Sequence, residues 1–206
     1  MSSKIYVGFN LNYWNLIFNV WELWLFCSID SKKTNDGDTM SDTLTIYKYP
    51  DPVLRKKAES VDNIDGNLQE LIDSMTETMY KAPGIGLAAP QVGESIRLVV
   101  YDITPPEDGN NINVIINPEI VSAEGSIVYE EACLSVIDFS AEVERNAKIL
   151  VKALDREGNP LEIEAEGLHS VCLQHEIDHL NGILFIDHIS TIKRSLYKKR
   201  LKKLLK

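Results

Sequence analysis

Two histidines four residues apart, with a glutamate directly after the first, constrain this chain more than any other feature. The stretch reads Gln174-His175-Glu176-Ile177-Asp178-His179. On an α-helix, residues i and i+4 stand one above the other on the same face. Both imidazoles can then reach one metal ion, with Glu176 beside its open coordination position. Leu168, Val171, Cys172, His175 and His179 follow the spacing of one helical face, and Asn181-Gly182 supplies a C-terminal stop. The plain alternative is an amphipathic helix on which two histidines happen to stack.

A catalytic ion of this kind needs a third protein ligand and leaves a fourth position open. The helix continues as His179-Leu180-Asn181-Gly182-Ile183-Leu184-Phe185, so Phe185 stands where the metzincin proteases carry their third histidine. No Asp or Glu follows Asp187, which removes the downstream glutamate of a thermolysin-like protease. The third ligand therefore lies upstream, or is Asp187 or His188 just past the helix. Cys172 shares the face of His175 but stands seven residues before His179, about 10 Å along a helix rising 1.5 Å per residue. It reads as a small apolar wall residue. Cys133, in Glu130-Glu131-Ala132-Cys133-Leu134-Ser135, follows a strand-like run and can approach from the side.

Three ordered segments carry a resemblance. Gly84-Ile85-Gly86-Leu87-Ala88-Ala89-Pro90-Gln91, Glu131-Ala132-Cys133-Leu134-Ser135 and the histidine stretch resemble the three motifs of the peptide deformylases, over a region running from about Met40 to the C-terminus. Ala132 departs from the pattern, where the family more often has glycine. The resemblance implies a hydrolase that removes the N-formyl group from the initiator methionine of nascent polypeptides and releases formate. It implies Cys133, His175 and His179 as metal ligands and Glu176 as the proton-transferring group. The oxyanion donors would be the Gln91 side-chain amide and the Leu134 backbone N–H. An extended N-formylmethionyl peptide would pair with backbone at Ile85 and Gly86, and its methionine side chain would enter a pocket formed partly by Leu168, Val171 and Cys172. Glu131 is grouped with these substrate-side residues. A thiolate and two imidazoles suit Fe(II), Zn(II), Ni(II) and Co(II) alike; the resemblance favours Fe(II).

The rest of the chain sets the frame. Its 206 residues suffice for one domain with a sizeable core. Three cysteines argue against a disulfide framework. Leu11 to Ile29 is rich in Trp, Phe, Leu and Ile, but Asn12, Asn15, Asn19 and Glu22 interrupt it, which argues against a membrane span or signal peptide. Residues 1–39 are expected to be an extension outside the catalytic domain, present only in the conceptual translation. Residues 40–188 would form that domain. Leu68, Leu71, Ile72, Met75 and Met79 predict an amphipathic helix ending before Pro83. Gly84-Ile85-Gly86 reads as a turn closely approached by another backbone. Strands are expected at Arg97–Ile103, Asn113–Asn117, Ser126–Tyr129, Lys148–Asp155 and Leu161–Ala165. The expected fold is α+β, mostly antiparallel strands around a central helix that carries the histidines.

The last segment, Ile189–Lys206, holds eight Lys or Arg and no acid; with −10 on the whole chain, residues 1–188 sit at −18. Ile189, Ile192, Leu196, Leu201, Leu204 and Leu205 suggest a rough helical stripe. A basic C-terminal helix of this kind suits an anionic partner. The resemblance points to the ribosome; a membrane surface is the competing partner and a docked structural helix the plain one. A cytoplasmic monomer is expected. A metalloprotease and a purely structural metal site are the rival readings, the second weakened because a structural site closes with four protein ligands.

Overall fold

The computed structural model describes residues 43–204. The expectations for residues 1–39 and for Leu205 lie outside them. Helix α1, Gly66–Lys81, begins at Asp65, whose carboxylate accepts from Leu68 N–H at 3.1 Å. That satisfies one of the free donors of the first turn. Leu68, Ile72, Met75 and Met79 form its buried stripe, and the helix stops two residues before Pro83.

Seven strands follow: β1 Gly86–Ala88, β2 Leu98–Tyr101, β3 Asn113–Glu124, β4 Ile127–Cys133, β5 Val136–Arg145, β6 Lys148–Leu154 and β7 Pro160–Glu166. β1, β2, β3, β6 and β7 form one antiparallel sheet in the order β1-β2-β3-β6-β7, and β4 and β5 form a separate hairpin. β2 shows how the large sheet is packed. Leu98 and Val100 join Ile72, Met75 and Met79 of α1 in one core cluster. Val99 and Tyr101 join the other cluster, on the opposite face. Alternation with period two lets one strand serve both.

That second face is covered by α2, Leu168–Leu180, through Cys172, Leu173, Ile177 and Leu180. Ten of the thirteen residues of α2 are buried, so it is enclosed nearly all round rather than amphipathic. Its remaining side meets the β4–β5 hairpin and the segment Leu184–Ile186. Gly182, with φ +72°, ends the helix; a Cβ there would lie 2.6 Å from the Arg55 carbonyl oxygen.

Three strand expectations change. β3 continues past Asn117-Pro118 because register shifts on either side of Ile120 absorb the proline. Asn117, at φ +52°, bonds both Val61 N and Val61 O through its side chain. The strand expected at Ser126–Tyr129 runs on to Cys133, which places that residue at the tip of the hairpin. β5 was not expected, although its buried Ala141, Val143 and Arg145 alternate with exposed neighbours.

The last helix, α3, spans Thr191–Leu204. Its buried side is Tyr197 and Leu201, packed with Phe139, Phe185 and Leu54. Ile192, Leu196 and Leu204 of the expected apolar stripe are 73%, 60% and 52% exposed. The apolar side of the tail thus follows Tyr197, which the hydrophobic spacing had left out.

Candidate metal centre and catalytic site

The hairpin tip and α2 bring three ligand atoms together. One atom each from Cys133, His175 and His179 lies within 4.8 Å of the others, and all three residues are buried. Cys133 Sγ is 3.2 Å from His179 Nε2, and the two imidazole rings stand 5.0 Å apart, nearly perpendicular. A thiol and two imidazoles converging in a buried site suit a divalent metal ion. One orphaned polar atom beside the cluster supports the fit: Glu176 Oε2 is buried without a hydrogen-bond partner.

Each ligand is held by its own local structure. His175 Nδ1 contacts Glu131 Oε2 at 2.8 Å. In the neutral ring that arrangement puts the proton on Nδ1 and leaves the Nε2 lone pair free for an ion. Glu131, expected on the substrate side, is instead fully buried and turned away behind His175. Its carboxylate accepts from Arg145 Nε at 2.7 Å and Nη2 at 3.1 Å. Burial pushes its pKa up, but the His175 and Arg145 hydrogen bonds outweigh this and hold it at about 2. Arg145 Nη1 also reaches Asp178 Oδ2 at 2.6 Å, and His188 Nε2 meets the same oxygen at 2.7 Å. Asp187 pairs with Arg55 and Arg194. Neither Asp187 nor His188 therefore belongs to the ligand cluster.

Cys172 lies outside it too, with Sγ directed to the Ile85 carbonyl at 3.8 Å. Burial pushes its thiol pKa well up, with Glu176 and Glu131 adding to the effect, so it stays neutral. Val171 is fully buried and Leu168 half-buried in the first turn of α2.

Glu176 owes its setting to the glycine motif. A Cβ built on Gly86 would lie 2.8 Å from Glu176 Cδ and 2.9 Å from its Cγ. At Gly84 it would meet Leu134 Cδ1 at 2.8 Å. The close approach expected at these glycines is thus made by side chains, not by another backbone. Burial pushes the Glu176 carboxyl up to about 7, against the lowering effect of His175. A carboxyl in that range can both take and return a proton near neutral pH.

The other two segments flank this group. Gln91 is buried in the turn Ala89–Val92, its Oε1 accepting from Ala88 N–H at 2.8 Å. Its Nε2 is 3.2 Å from Ser135 Oγ and 3.6 Å from Cys133 Sγ. Leu134 directly follows Cys133 at the hairpin turn.

A sequence profile of the polypeptide deformylases matches residues 43–195, about three quarters of the chain. The chain belongs to the peptide deformylase family. Members of that family are hydrolases that remove the N-formyl group from nascent chains. The peptide deformylase of Thermodesulfovibrio yellowstonii is 56% identical over 159 residues, which cover 77% of this chain and 96% of that protein. That of Mesorhizobium japonicum is 56% identical over 158 residues, covering 76% and 90%. Among solved structures, a deformylase from Legionella pneumophila superposes with a TM-score of 0.75 at 50% identity, over 79% of this chain and 95% of that one. The deformylase of Ehrlichia chaffeensis in complex with actinonin gives 0.74 at 38%, over 78% and 96%.

Two residues of this deformylase site were not singled out in the sequence. Arg145 anchors Glu131 and Asp178 at once. Its signal was present: it holds an inward position in the alternation of β5. Ser135 touches both Gln91 Nε2 and, through its N–H at 3.4 Å, Cys133 Sγ. Nothing in its spacing marks it beyond its place in the cysteine motif.

Proposed function

We propose that Cys133, His175 and His179 hold the metal ion with which this chain deformylates N-formylmethionyl peptides, and that Glu176 moves the proton. The observation carrying this reading is the Glu176 carboxylate, buried and unpartnered at Oε2, on the helix that carries both histidines, one residue after His175 and three before His179. When bound, the ion supplies Lewis acidity and brings the pKa of a water toward neutrality. The Glu176 carboxylate would take a proton from the water that attacks the formyl carbon and return it to the amine that leaves as the C–N bond breaks. The Gln91 amide and the Leu134 N–H stand as donors to the oxygen that becomes negative. Glu131 and Arg145 act on the reaction only through His175, by fixing its ring.

The substrate reading follows from the sheet. β1 is an edge strand, Gly86–Ala88, paired on one side with β2. An extended peptide can add beside Ile85 and Gly86 as a further strand. Leu168, Val171 and Cys172, neighbours on α2, would line the pocket for its methionine side chain. The native ion is taken to be Fe(II), with Zn(II), Ni(II) or Co(II) able to occupy the same donors. Residues 40–188 form the catalytic unit of a cytoplasmic monomer, and α3 offers the ribosome a basic surface.

Release of formate from formyl-Met-Ala-Ser by anaerobically purified protein, with elemental analysis of the same sample, tests this reading. About one iron per chain and formate release at micromolar enzyme are expected. Hydrolysis of casein without formate release would replace it with a peptidase.

A further inference from the structure

The two proposed oxyanion donors belong to separate pieces of structure. Gln91 follows β1 of the five-stranded sheet, whereas Leu134 sits at the tip of the β4–β5 hairpin. No shared strand pairing sets their separation. The segment Tyr47-Lys48-Tyr49 bridges them instead. Tyr47 N–H donates to the Gln91 carbonyl at 2.8 Å, and Tyr49 N–H to the Ser135 carbonyl at 2.7 Å. Between these two backbone bonds, the Lys48 ammonium donates to the Leu134 carbonyl at 2.5 Å. The Gln91 Nε2 contact to Ser135 Oγ closes the ring from the other side.

We propose that Lys48 is a positioning residue for formyl hydrolysis, whose ammonium fixes the Leu134–Ser135 turn against the Gln91 loop and sets a positive charge behind both donors. The inference rests on the roles given above to Gln91 and Leu134. The backbone bonds of Tyr47 and Tyr49 are open to almost any sequence; the side-chain bond is the part that needs a lysine. A charged donor on a carbonyl makes a stronger bond than a neutral one, and the turn it restrains carries a metal ligand on one side and an oxyanion donor on the next residue. Desolvation pulls the Lys48 pKa below its ordinary value, while the nearby Cys133 sulfur pushes it back up. Lys48 is thus within electrostatic reach of that sulfur as well, although the residue as a whole is exposed. Exposure also means that a change here disturbs little of the core.

The test compares the full chain with Lys48→Met, which keeps the stem and loses the donor, and Lys48→Arg, which keeps charge and donor. Kinetics on formyl-Met-Ala-Ser are read beside amide NMR signals of Leu134 and Ser135 in the zinc-loaded protein. Lys48→Met should lower kcat about tenfold, less than outright removal of an oxyanion donor, with KM within about twofold and metal content unchanged. Its Leu134 and Ser135 amides should shift and exchange faster with solvent, and Lys48→Arg should restore most of both. A Lys48→Met kcat within about twofold of the parent, with those amide signals in place, overturns the inference. So does a loss that Lys48→Arg shares in full together with a lowered melting temperature, which would make the residue a structural brace. A parent chain that releases no formate would instead overturn the functional reading, and the amide signals would still decide the positioning role.

Discussion

Replacing Gly86 with alanine places one methyl group directly on the proposed base. That carbon would stand 2.8 Å from Glu176 Cδ and 2.9 Å from Cγ. Carbon atoms settle at about 3.5–4.0 Å, so one side must yield by about 0.7 Å or more. Gly86 is fixed in β1 by its pairing with Tyr101, so Glu176 is the side that moves. A reacting group misplaced by about 1 Å loses about 10²-fold in rate, or about 2.7 kcal/mol of barrier. Over-packing adds a stability cost of about 1–3 kcal/mol. The three atoms nearest the new methyl group all belong to Glu176, none to a histidine ligand. Gly86→Ala should therefore keep its metal, measured by elemental analysis, and lose about 10²-fold in kcat/KM for formate release. Gly84→Ala should lose far less, because the atom it meets is the end of the flexible Leu134 side chain. Gly86→Ala activity within about threefold of the parent would refute the claim that the reaction depends on where Glu176 stands beside Gly86.

Further substitutions separate roles. Cys133→Ala should lose the metal, whereas Cys172→Ala should retain it and alter mainly side-chain preference at the formylated residue; equal metal content in both would remove Cys133 from the ligand set. Glu131 ionises at about 2 in the fold against 4.5 unperturbed. Its lowered pKa contributes stability above pH 4.5 that is lost as pH falls toward 2, about 3 kcal/mol in all. Glu131→Gln should therefore lower the melting temperature at pH 7 and flatten its acid dependence between pH 5 and 2; an unchanged acid profile would deny the buried pair that role. Deleting α3 would remove the buried Tyr197 and Leu201, a loss of about 1.5–3 kcal/mol each, and uncover Leu54, Phe139 and Phe185, so truncation confounds docking with folding. Charge reversal at the exposed Lys198, Lys199 and Lys202 avoids this. It should abolish low-salt ribosome co-sedimentation while peptide turnover and melting temperature hold; undiminished binding would remove the ribosome as partner of α3.

The sequence carried the site further than the fold around it. The His-Glu-x-x-His spacing names a helix face because the helical repeat turns four residues into one neighbourhood. The same geometry separated the two cysteines, since seven residues of rise keep Cys172 from sharing an ion with His179. Contacts between distant segments were not legible. Arg145 lies in a strand whose alternation was overlooked, and its two acidic partners come from β4 and α2. Glu131 could be placed in the site but not turned toward His175 rather than substrate, because sequence gives no direction for a side chain at a hairpin. The tail misled for a simpler reason: its burial is governed by Tyr197 stacking on Phe139, 4.5 Å between centroids, and not by the count of leucines.

The central claim is that Glu176 transfers the proton at an ion held by Cys133, His175 and His179. Glu176→Gln keeps the volume and removes only the ionisable oxygen. Metal content and formate release measured on one sample of that variant test the claim most directly. The expected result is the parent's metal stoichiometry with activity lower by about 10²–10⁴-fold, the span of a missing general base. Retention of more than about a tenth of the parent activity, with the metal in place, would contradict it.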